Sequence, residues 1–217
     1  MSAADSGLIR FRTHFRRQAR RDAEQRLRRD PYAALACEAQ MGDREALTQL
    51  IRVLAPRLRG AVRAVYGGEH ADVDDVLQEA LLSFLKALPA FEGRSTVLHY
   101  AYRITVRTGL LARRRTRRRL DRVELHDSPE LVAEGIDADP LAEQRRDVLR
   151  SLLDELPEEQ AETMAMRVCL GMSLEEVSEA TDAPVNTVRS RVRLARQALR
   201  RRLEDDPDAH ELLEGWV

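Results

Sequence analysis

The chain has 217 residues, with 36 basic and 37 acidic side chains and a formal net charge of −1. This length allows one domain or two small ones. No segment approaches the run of about 18 apolar residues that a membrane span requires, and the N-terminus lacks the apolar stretch of a secretory signal, so we expect a cytoplasmic protein with no membrane span. Only 4% of the residues are aromatic, and the chain has 10 glycines and 8 prolines. This composition predicts an all-α protein and argues against a β-rich or Rossmann architecture.

The sequence lacks the residue patterns of an enzyme or a metal site. Cys37 and Cys169 lie far apart, with no CxxC motif and no histidine at ligand spacing, so neither a disulfide nor a zinc site is indicated. Each cysteine is predicted to be a small buried hydrophobic residue. Because the sequence also has no nucleophile–base pair and no phosphate-cradling glycine loop, we expect no catalytic residues, no metal and no cofactor.

Charge is segregated along the chain despite its near-neutral sum. Basic residues, almost all arginine, are concentrated in residues 10–29, 103–122 and 189–202. Acidic residues are concentrated between the second and third of these blocks and again at the C-terminal end. This pattern predicts two small helical domains with three flanking segments: an Arg-rich N-terminal extension (1–33), a helical bundle (34–118), an acidic linker (119–145), a helix-turn-helix unit (146–204) and an acidic tail (205–217).

The first unit is predicted to begin with three helices. One is capped by Asp43, and a second starts at Pro56 and stops at the Gly67-Gly68 pair. The third has Asp72 or Asp74 as its N-cap, and its apolar residues recur at helical spacing before Pro89 ends it: Leu77, Leu81, Phe84 and Leu88. After the loop FEGRST, a further helix carries a second apolar stripe: Val97, Ala101, Ile104, Thr108 and Leu111.

The second unit has a sharper local signature. Residues 158–170 are predicted to form a helix that ends at Gly171, and Ser173-Leu-Glu-Glu forms a capping box that starts another helix, which runs to Thr181. A short turn follows, and Pro184 suits the first position of a final helix. Two short helices joined by a tight turn are typical of a helix-turn-helix, and the final helix has its own buried stripe: Val188, Val192, Ala195 and Leu199.

The other face of the final helix predicts contacts with duplex DNA. Side chains near its N-terminus are placed to read base edges in the major groove: Asn186, Thr187, Arg189 and Ser190. Three arginines further along suit phosphates: Arg191, Arg193 and Arg196. The alternative is a solvated basic face on an ordinary surface helix, which the partner helix and the turn argue against.

The second basic block interleaves arginines with aromatic residues on one helix. Stacking rings beside guanidinium groups suit the unstacked bases and phosphates of a single strand. The residues in question follow the FEGRST loop: Thr96, His99, Tyr100, Tyr102, Arg103 and Arg107. The alternative, which the pattern leaves open, is that the tyrosines pack in the core and the arginines are solvated.

The third helix of the first unit presents an acidic face. It carries four polar residues: Asp74, Asp75, Gln78 and Glu79. No histidine or cysteine lies at ligand spacing, so a metal site is not indicated. The face is either solvated or a docking surface for a protein partner.

Together these motifs resemble an extracytoplasmic-function (ECF) sigma factor, a bacterial transcription-initiation subunit. The resemblance covers about residues 34–118 and 146–204. In the first part it rests on three segments: GDREAL, DVDDVLQEALLSFLKALPAFEGRST and the Tyr-Arg-Ile of AYRIT. In the second it rests on the segment from LPEEQ to RQALRRRL.

The resemblance implies a role for each surface. The Asp74, Asp75, Gln78 and Glu79 face would dock on the β′ clamp helices of core RNA polymerase. Residues 186–196 would read the −35 element of the promoter, and the linker would thread toward the active-site and RNA-exit channels. The −10 element would be melted and held by the loop and the helix that follows it: Arg94, Ser95, Thr96, His99, Tyr100, Tyr102, Arg103 and Arg107. An anti-sigma protein is a further partner that the family allows.

The chain departs from the family pattern in three places. The family usually has Trp at the position of Tyr100, and commonly Asn and Asp at the positions of Arg107 and Leu111. The Arg-rich extension is also outside the compact pattern; it is predicted to be disordered, with an added DNA contact or a contact with a regulator as alternatives. The alternative function is a stand-alone helix-turn-helix regulator, which would bind duplex DNA unaided and leave core polymerase unbound.

Overall fold

A computed structural model describes residues 29–67, 70–123 and 140–204. Within these ranges all regular structure is helical, as the composition predicted. The helices run in chain order as follows: α1 (Ala33–Gln40), α2 (Arg44–Tyr66), α3 (His70–Ala87), α4 (Val97–Val123), α5 (Pro140–Glu155), α6 (Glu158–Met164), α7 (Leu174–Thr181) and α8 (Val185–Glu204). A 3₁₀ turn (Leu88–Ala90) follows α3, and a π-helical turn (Ala165–Cys169) follows α6.

The N-terminal unit, α1 to α4, has its core along the buried side of α2. Asp43 caps α2 as predicted, because its carboxylate accepts hydrogen bonds from the backbone N–H groups of Glu45 and Ala46 at 2.8 and 3.1 Å. Leu54 and Leu58 follow at helical spacing and are fully buried. They pack against Phe84 of α3 and Val97 of α4 in one apolar cluster.

The prediction of a new helix at Pro56 is wrong, since α2 continues through this residue to Tyr66. A proline inside a helix costs about 3 kcal/mol because it removes one backbone hydrogen bond. Here Pro56 lies on the exposed side of α2, where water can satisfy the carbonyl left without a partner. Burial of Leu54 and Leu58, at roughly 1.5–3 kcal/mol each, offsets the cost.

Two details of α3 and α4 also differ from the sequence prediction. Helix α3 begins at His70, so Asp72 and Asp74 lie within it and neither is its N-cap. Leu111 of α4 is 42% exposed, whereas Val106 and Leu110 are buried. The buried stripe of α4 shifts because the second half of this helix packs against the C-terminal unit.

Asp30 anchors the start of α4 from a distant part of the sequence. Its carboxylate is buried and accepts hydrogen bonds from the backbone N–H groups of Val97, at 2.6 Å, and Tyr32, at 3.0 Å. A negative charge is favourable at a helix N-terminus. Asp30 belongs to the segment predicted as a disordered extension, whose residues 1–28 lie outside the described residues.

The C-terminal unit contains the predicted helix-turn-helix. Ser173 and Glu176 form a reciprocal capping box at the start of α7, with distances of 3.1 and 2.7 Å. The turn after α7 is made by Asp182 in the left-handed region, and α8 starts directly after Pro184. The predicted helix over 158–170 divides into α6 and the π-helical turn, which ends just before Gly171 at φ 67°.

The capping box supports a stability prediction. We expect Ser173→Ala to lower the free energy of unfolding by about 1 kcal/mol, because it removes the acceptor for the Glu176 N–H. The bonds from Ser173 also hold the pKa of the Glu176 carboxyl below its usual range, so protonating this group costs stability at low pH. Urea denaturation measures the change, and Ser173→Thr is the control because it keeps the hydroxyl. If Ser173→Thr lowers the free energy of unfolding as much as Ser173→Ala does, the hydroxyl group does not stabilise the start of α7.

The two units pack directly against each other. Val65 of α2 and Val106 and Leu110 of α4 share one apolar cluster with Leu153 and Leu156. At the edge of this interface Arg150, 3% exposed, donates to the carbonyl oxygens of residues 63 and 64 at the end of α2. Arg113 of α4 pairs with the buried Asp154 of α5 at 2.9 Å.

The remaining predictions concern single residues and flanking segments. Cys37 is exposed and Cys169 is half-buried, so the prediction of two buried cysteines is wrong. Helix α4 continues to Val123 and α5 starts at Pro140, within the segment predicted as a linker. Residues 124–139 and the acidic tail 205–217 lie outside the described residues.

Candidate nucleic-acid interface

The face of α8 expected to bind duplex DNA is exposed and cationic. Val188, Ala195 and Leu199 are buried as predicted, and they orient the opposite side of the helix outward. Six of the seven residues predicted to contact DNA are exposed: Asn186, Thr187, Arg189, Ser190, Arg193 and Arg196. The seventh, Arg191, is half-buried and pairs with Glu159 of α6 at 2.5 Å.

An open groove of about 720 Å³ runs along this helix. Leu174 and Val192 contribute its apolar part, and cationic side chains line most of the remainder: Arg189, Arg193, Arg196, Arg200 and Arg201. Among the described residues, Arg193 and Arg196 have no carboxylate within ion-pair distance. Such uncompensated guanidinium groups along one helix fit the spaced phosphates of a nucleic-acid backbone.

The residues expected to hold a single strand divide into two sets, and the first set is built into the N-terminal core. The Tyr100 ring lies 4.9 Å from that of Phe91, and its hydroxyl donates to the Ala87 carbonyl at 3.1 Å. Tyr102 is half-buried between the clusters of both units. Burial raises the pKa of both tyrosines. Ser95 is also buried, and Thr96 accepts from the His99 N–H at the start of α4.

The second set contains the cations of this surface, and each of them faces carboxylates of the C-terminal unit. Arg94 pairs with Asp182 at 2.5 Å, and Arg107 pairs with Glu158 at 2.5 Å. Arg103 donates to Glu162 at 3.1 Å. The side chain of Glu162 is only 7% exposed.

Two further carboxylates of the C-terminal unit lie near His99. Its ring nitrogens are 3.9 Å from Glu176 and 3.8 Å from Glu179. Burial raises the pKa of the Glu162 carboxyl, and the nearby Arg103 and Arg107 oppose that shift. Sequence reasoning missed these partners because 51 to 88 residues separate each arginine from its carboxylate, and no local pattern links them.

The acidic face of α3 is open. All four of its polar residues are exposed. Asp74 pairs with Arg59 at 2.7 Å and Glu79 with Arg115 at 3.0 Å, while the side chains of Asp75 and Gln78 form no ion pair or hydrogen bond with the described residues. Leu82, 49% exposed, lies one turn further along the same face. This face is therefore exposed, mainly polar and open to contact with other molecules.

Metal sites and membrane spans are both absent from the described ranges. No three His, Cys, Asp or Glu side chains among these residues are arranged to hold a metal ion. None of the helices there is long and apolar enough to cross a membrane.

Two helical units, the second a helix-turn-helix with a cationic outer face, define a DNA-binding protein of the all-α class. Comparison with protein-family models assigns each unit. Residues 50–119 match the model of sigma-70 region 2, and residues 146–199 match that of sigma-70 region 4.

Individual proteins agree with this assignment. The chain is 33% identical to the ECF RNA polymerase sigma-E factor of Escherichia coli (strain K12) over 170 residues, which cover 74% of this chain and 87% of that protein. It is 27% identical to the sigma-E factor of Haemophilus influenzae over 182 residues, or 79% of this chain and 94% of that protein. The chain belongs to the ECF sigma factors, and its function is therefore that of a transcription-initiation subunit.

Two solved structures match most of the length of this chain. The structure of CnrH in complex with the cytosolic domain of CnrY matches with a TM-score of 0.49 and 24% identity, covering 80% of this chain and 97% of that one. The sigma factor RpoE of Bartonella quintana, in complex with the anti-sigma factor NepR, matches with a TM-score of 0.47 and 20% identity, covering 78% of this chain and 98% of that one.

Proposed function

We propose that this sigma factor binds core RNA polymerase through α3 and directs it to promoters through α8 and α4. The observation that carries the proposal is the division of charge between exposed faces: α3 presents carboxylates, whereas α8 presents arginines, of which Arg193 and Arg196 have no carboxylate partner among the described residues. A single chain with both faces can join a protein partner to DNA. The chemistry of RNA synthesis then belongs to the polymerase, so this chain is not itself an enzyme, and it acts in the cytoplasm with the polymerase.

The −35 element is assigned to the exposed N-terminal part of α8. In a helix-turn-helix, this part of the second helix enters the major groove. Asn186 and Arg189 are joined by a 3.1 Å hydrogen bond, so they form one polar group that can face base edges. Arg193 and Arg196 lie further along and reach phosphates. Arg191 must leave Glu159 before it can contribute.

The −10 element is assigned to the loop before α4 and to the face of α4 that carries Arg103 and Arg107. Guanidinium groups spaced along one helix can hold the phosphates of a melted strand. Tyr100 packs against Phe91, and Arg107 and Leu111, the other two departures from the family pattern, follow at helical spacing on the same side of α4. We therefore expect the base preference at −10 to differ from that of relatives with Trp at this position.

Reconstituted transcription tests the proposed function. Core RNA polymerase and the full chain are incubated with genomic DNA fragments, and the start sites of the transcripts are mapped. Initiation at defined sites that depend on the added chain is the expected result. Binding of the chain to duplex DNA without association with core polymerase would instead support a stand-alone regulator.

The phosphate contacts of α8 give a second prediction. We expect Arg193→Ala to weaken binding of the full chain to a 30-base-pair duplex of random sequence, and to reduce the slope of log K against log salt by about 0.9, the value for one lost phosphate contact. Fluorescence anisotropy at several salt concentrations measures both quantities. Arg52→Ala, on the exposed side of α2, is the matched control. Equal slopes for the two variants would remove Arg193 from the interface.

A further inference from the structure

The cationic groove along α8 continues beyond the residues assigned to the −35 element. Besides Arg193 and Arg196, it is lined by Arg200 and Arg201 near the end of the helix, and the proposed function gives these two no role. None of the four arginines has a carboxylate within ion-pair distance among the described residues. Glu204 lines the far end of the groove. A surplus of positive charge therefore extends along about three turns of α8, at 3.6 residues per turn.

The groove also has an apolar wall. Leu174 of α7 and Val192 of α8 line it and are half-buried, so part of each side chain faces the open volume. Leu194, 43% exposed, lies on the adjoining side of α8. A sugar–phosphate backbone can neutralise the arginines but offers little to an apolar wall. An acidic peptide with large apolar side chains matches both parts of the groove.

The acidic tail, residues 205–217, has the composition of such a peptide. It lies outside the described residues and follows α8 directly in the sequence. It contains no lysine or arginine, and acidic and large apolar residues alternate along it in short groups. The acidic residues are Asp205, Asp206, Asp208, Glu211 and Glu214, and the large apolar residues are Leu212, Leu213, Trp216 and Val217.

The acidic tail is long enough to reach back along the groove. The stretch of α8 from Glu204 to Arg193 measures about 17 Å, at 1.5 Å per helical residue. Pro207 disfavours helical backbone at the residue before it, so the sequence favours a change of direction soon after α8 ends. The ten residues after Pro207 span about 33 Å when extended. Even as a helix they span about 15 Å, which brings Trp216 to the level of Arg196.

We propose that the acidic tail folds back along α8 and occupies its cationic groove in the free protein, in competition with duplex DNA. This inference rests on the proposed function, because it concerns the face of α8 assigned to DNA. The carboxylates of the tail pair with the arginines, and its leucines and Trp216 pack on the apolar wall. A segment joined directly to its site has an effective concentration on the order of millimolar, so weak contacts suffice. The tail then lowers binding to DNA of any sequence, since such binding depends on phosphate contacts.

Trp216 reports docking of the tail directly, because it is the one tryptophan of the chain. Acrylamide, an uncharged quencher, measures how accessible its ring is in the full chain. We expect Arg196→Glu with Arg200→Glu to raise the quenching constant roughly twofold or more, since a millimolar effective concentration keeps most tails docked in wild type. Arg44→Glu with Arg52→Glu makes the same charge change at exposed positions of α2 and should leave the constant unchanged. Saturation of wild type with unlabelled duplex should raise it as the groove variant does.

Duplex binding provides an independent measurement. We expect Glu211→Gln with Glu214→Gln to bind the random-sequence duplex roughly two- to tenfold more tightly than Glu38→Gln with Glu45→Gln, on the scale of two exposed ion pairs. The second pair is the matched control, because both residues are exposed and form no ion pair with described residues. The difference should shrink at high salt, which screens the contact between tail and groove.

A third variant separates docking from a general effect of charge. Leu212→Ser with Leu213→Ser leaves the net charge unchanged and removes apolar contacts of the tail. It should also bind the duplex more tightly than wild type and raise the quenching constant of Trp216. Unchanged duplex binding and quenching in this variant would overturn the packing of the tail on the apolar wall.

The outcomes separate this inference from the proposed function. If Trp216 is equally accessible in wild type and the groove variant while wild type supports transcription with core polymerase, tail docking is overturned and the proposed function stands. Protection of Trp216 that increases with protein concentration would place the tail on a second copy of the chain and overturn docking within one chain. If wild type neither binds the duplex nor initiates transcription, both the proposed function and the competition are overturned.

Discussion

The Asp75→Arg protein is expected to bind core RNA polymerase at least about 30-fold more weakly than wild type. Reversing a charge at a complementary interface costs about 2–5 kcal/mol, and 2 kcal/mol corresponds to that factor. Asp75 is the best position for the test because it is exposed and has no ion pair to lose among the residues that the structure describes. The same change at Glu79 would also place a like charge beside Arg115, 3.0 Å from the present carboxylate. Equilibrium binding to labelled core enzyme measures the effect.

A matched reversal controls for net charge. Glu38→Arg places the same charge change on an exposed residue of α1. It should leave the affinity within about twofold, because this charge lies outside the proposed contact face and salt screens its interaction with the polymerase. Thermal melting checks that both variants remain folded. If Asp75→Arg and Glu38→Arg bind core polymerase equally, the docking face does not lie on α3.

The Phe84→Ala protein is expected to lose about 3–5 kcal/mol of stability, a large part of the roughly 5–15 kcal/mol that holds a typical domain folded. Phe84 is fully buried. Its ring meets that of Tyr100 edge-on at 6.3 Å, and it shares a cluster with Leu50, Leu54 and Leu58. For a chain of this size, the loss corresponds to a fall in the melting temperature of roughly 6–20 °C.

Leu82→Ala, on the same helix, provides the comparison for stability. Leu82 is 49% exposed, so its truncation should change the free energy of unfolding by less than about 0.5 kcal/mol. Calorimetry or urea denaturation measures both variants. A loss below about 1 kcal/mol for Phe84→Ala would show that α3 does not contribute its buried face to the core in solution.

The helix-turn-helix could be predicted almost completely from the sequence, because its signals are local. A capping box requires only two residues three positions apart, and one glycine can end a helix. A buried helical stripe requires apolar residues at a period of 3.6 residues. Each of these patterns determines backbone geometry within one or two turns of helix. The exposed arginines of α8 follow from the same periodicity, except for Arg191, whose partner Glu159 lies on another helix.

The single helix through Pro56 and the exposure of Leu111 could not be predicted in this way. A proline usually starts or ends a helix, and only the burial of Leu54 and Leu58 on the far side of α2 outweighs that preference. Leu111 fits the helical stripe of the first half of α4. The second half of α4 instead buries Val106 and Leu110 against the C-terminal unit, and nothing in the local pattern of α4 reveals that neighbour.

The sequence by itself determined the helical class of this protein, the capped helix-turn-helix and the separation of basic from acidic segments. Only the tertiary structure decided which charges meet. Arg103 and Glu162 are 59 residues apart in the sequence. Hydrogen bonds and ion pairs form only between groups a few ångströms apart, so this pairing depends on how the two units pack. The near-neutral total charge of −1 thus combines two cationic faces. On α8, Arg193 and Arg196 have no carboxylate partner within the described ranges, whereas on α4 Arg103 and Arg107 are each paired with a carboxylate.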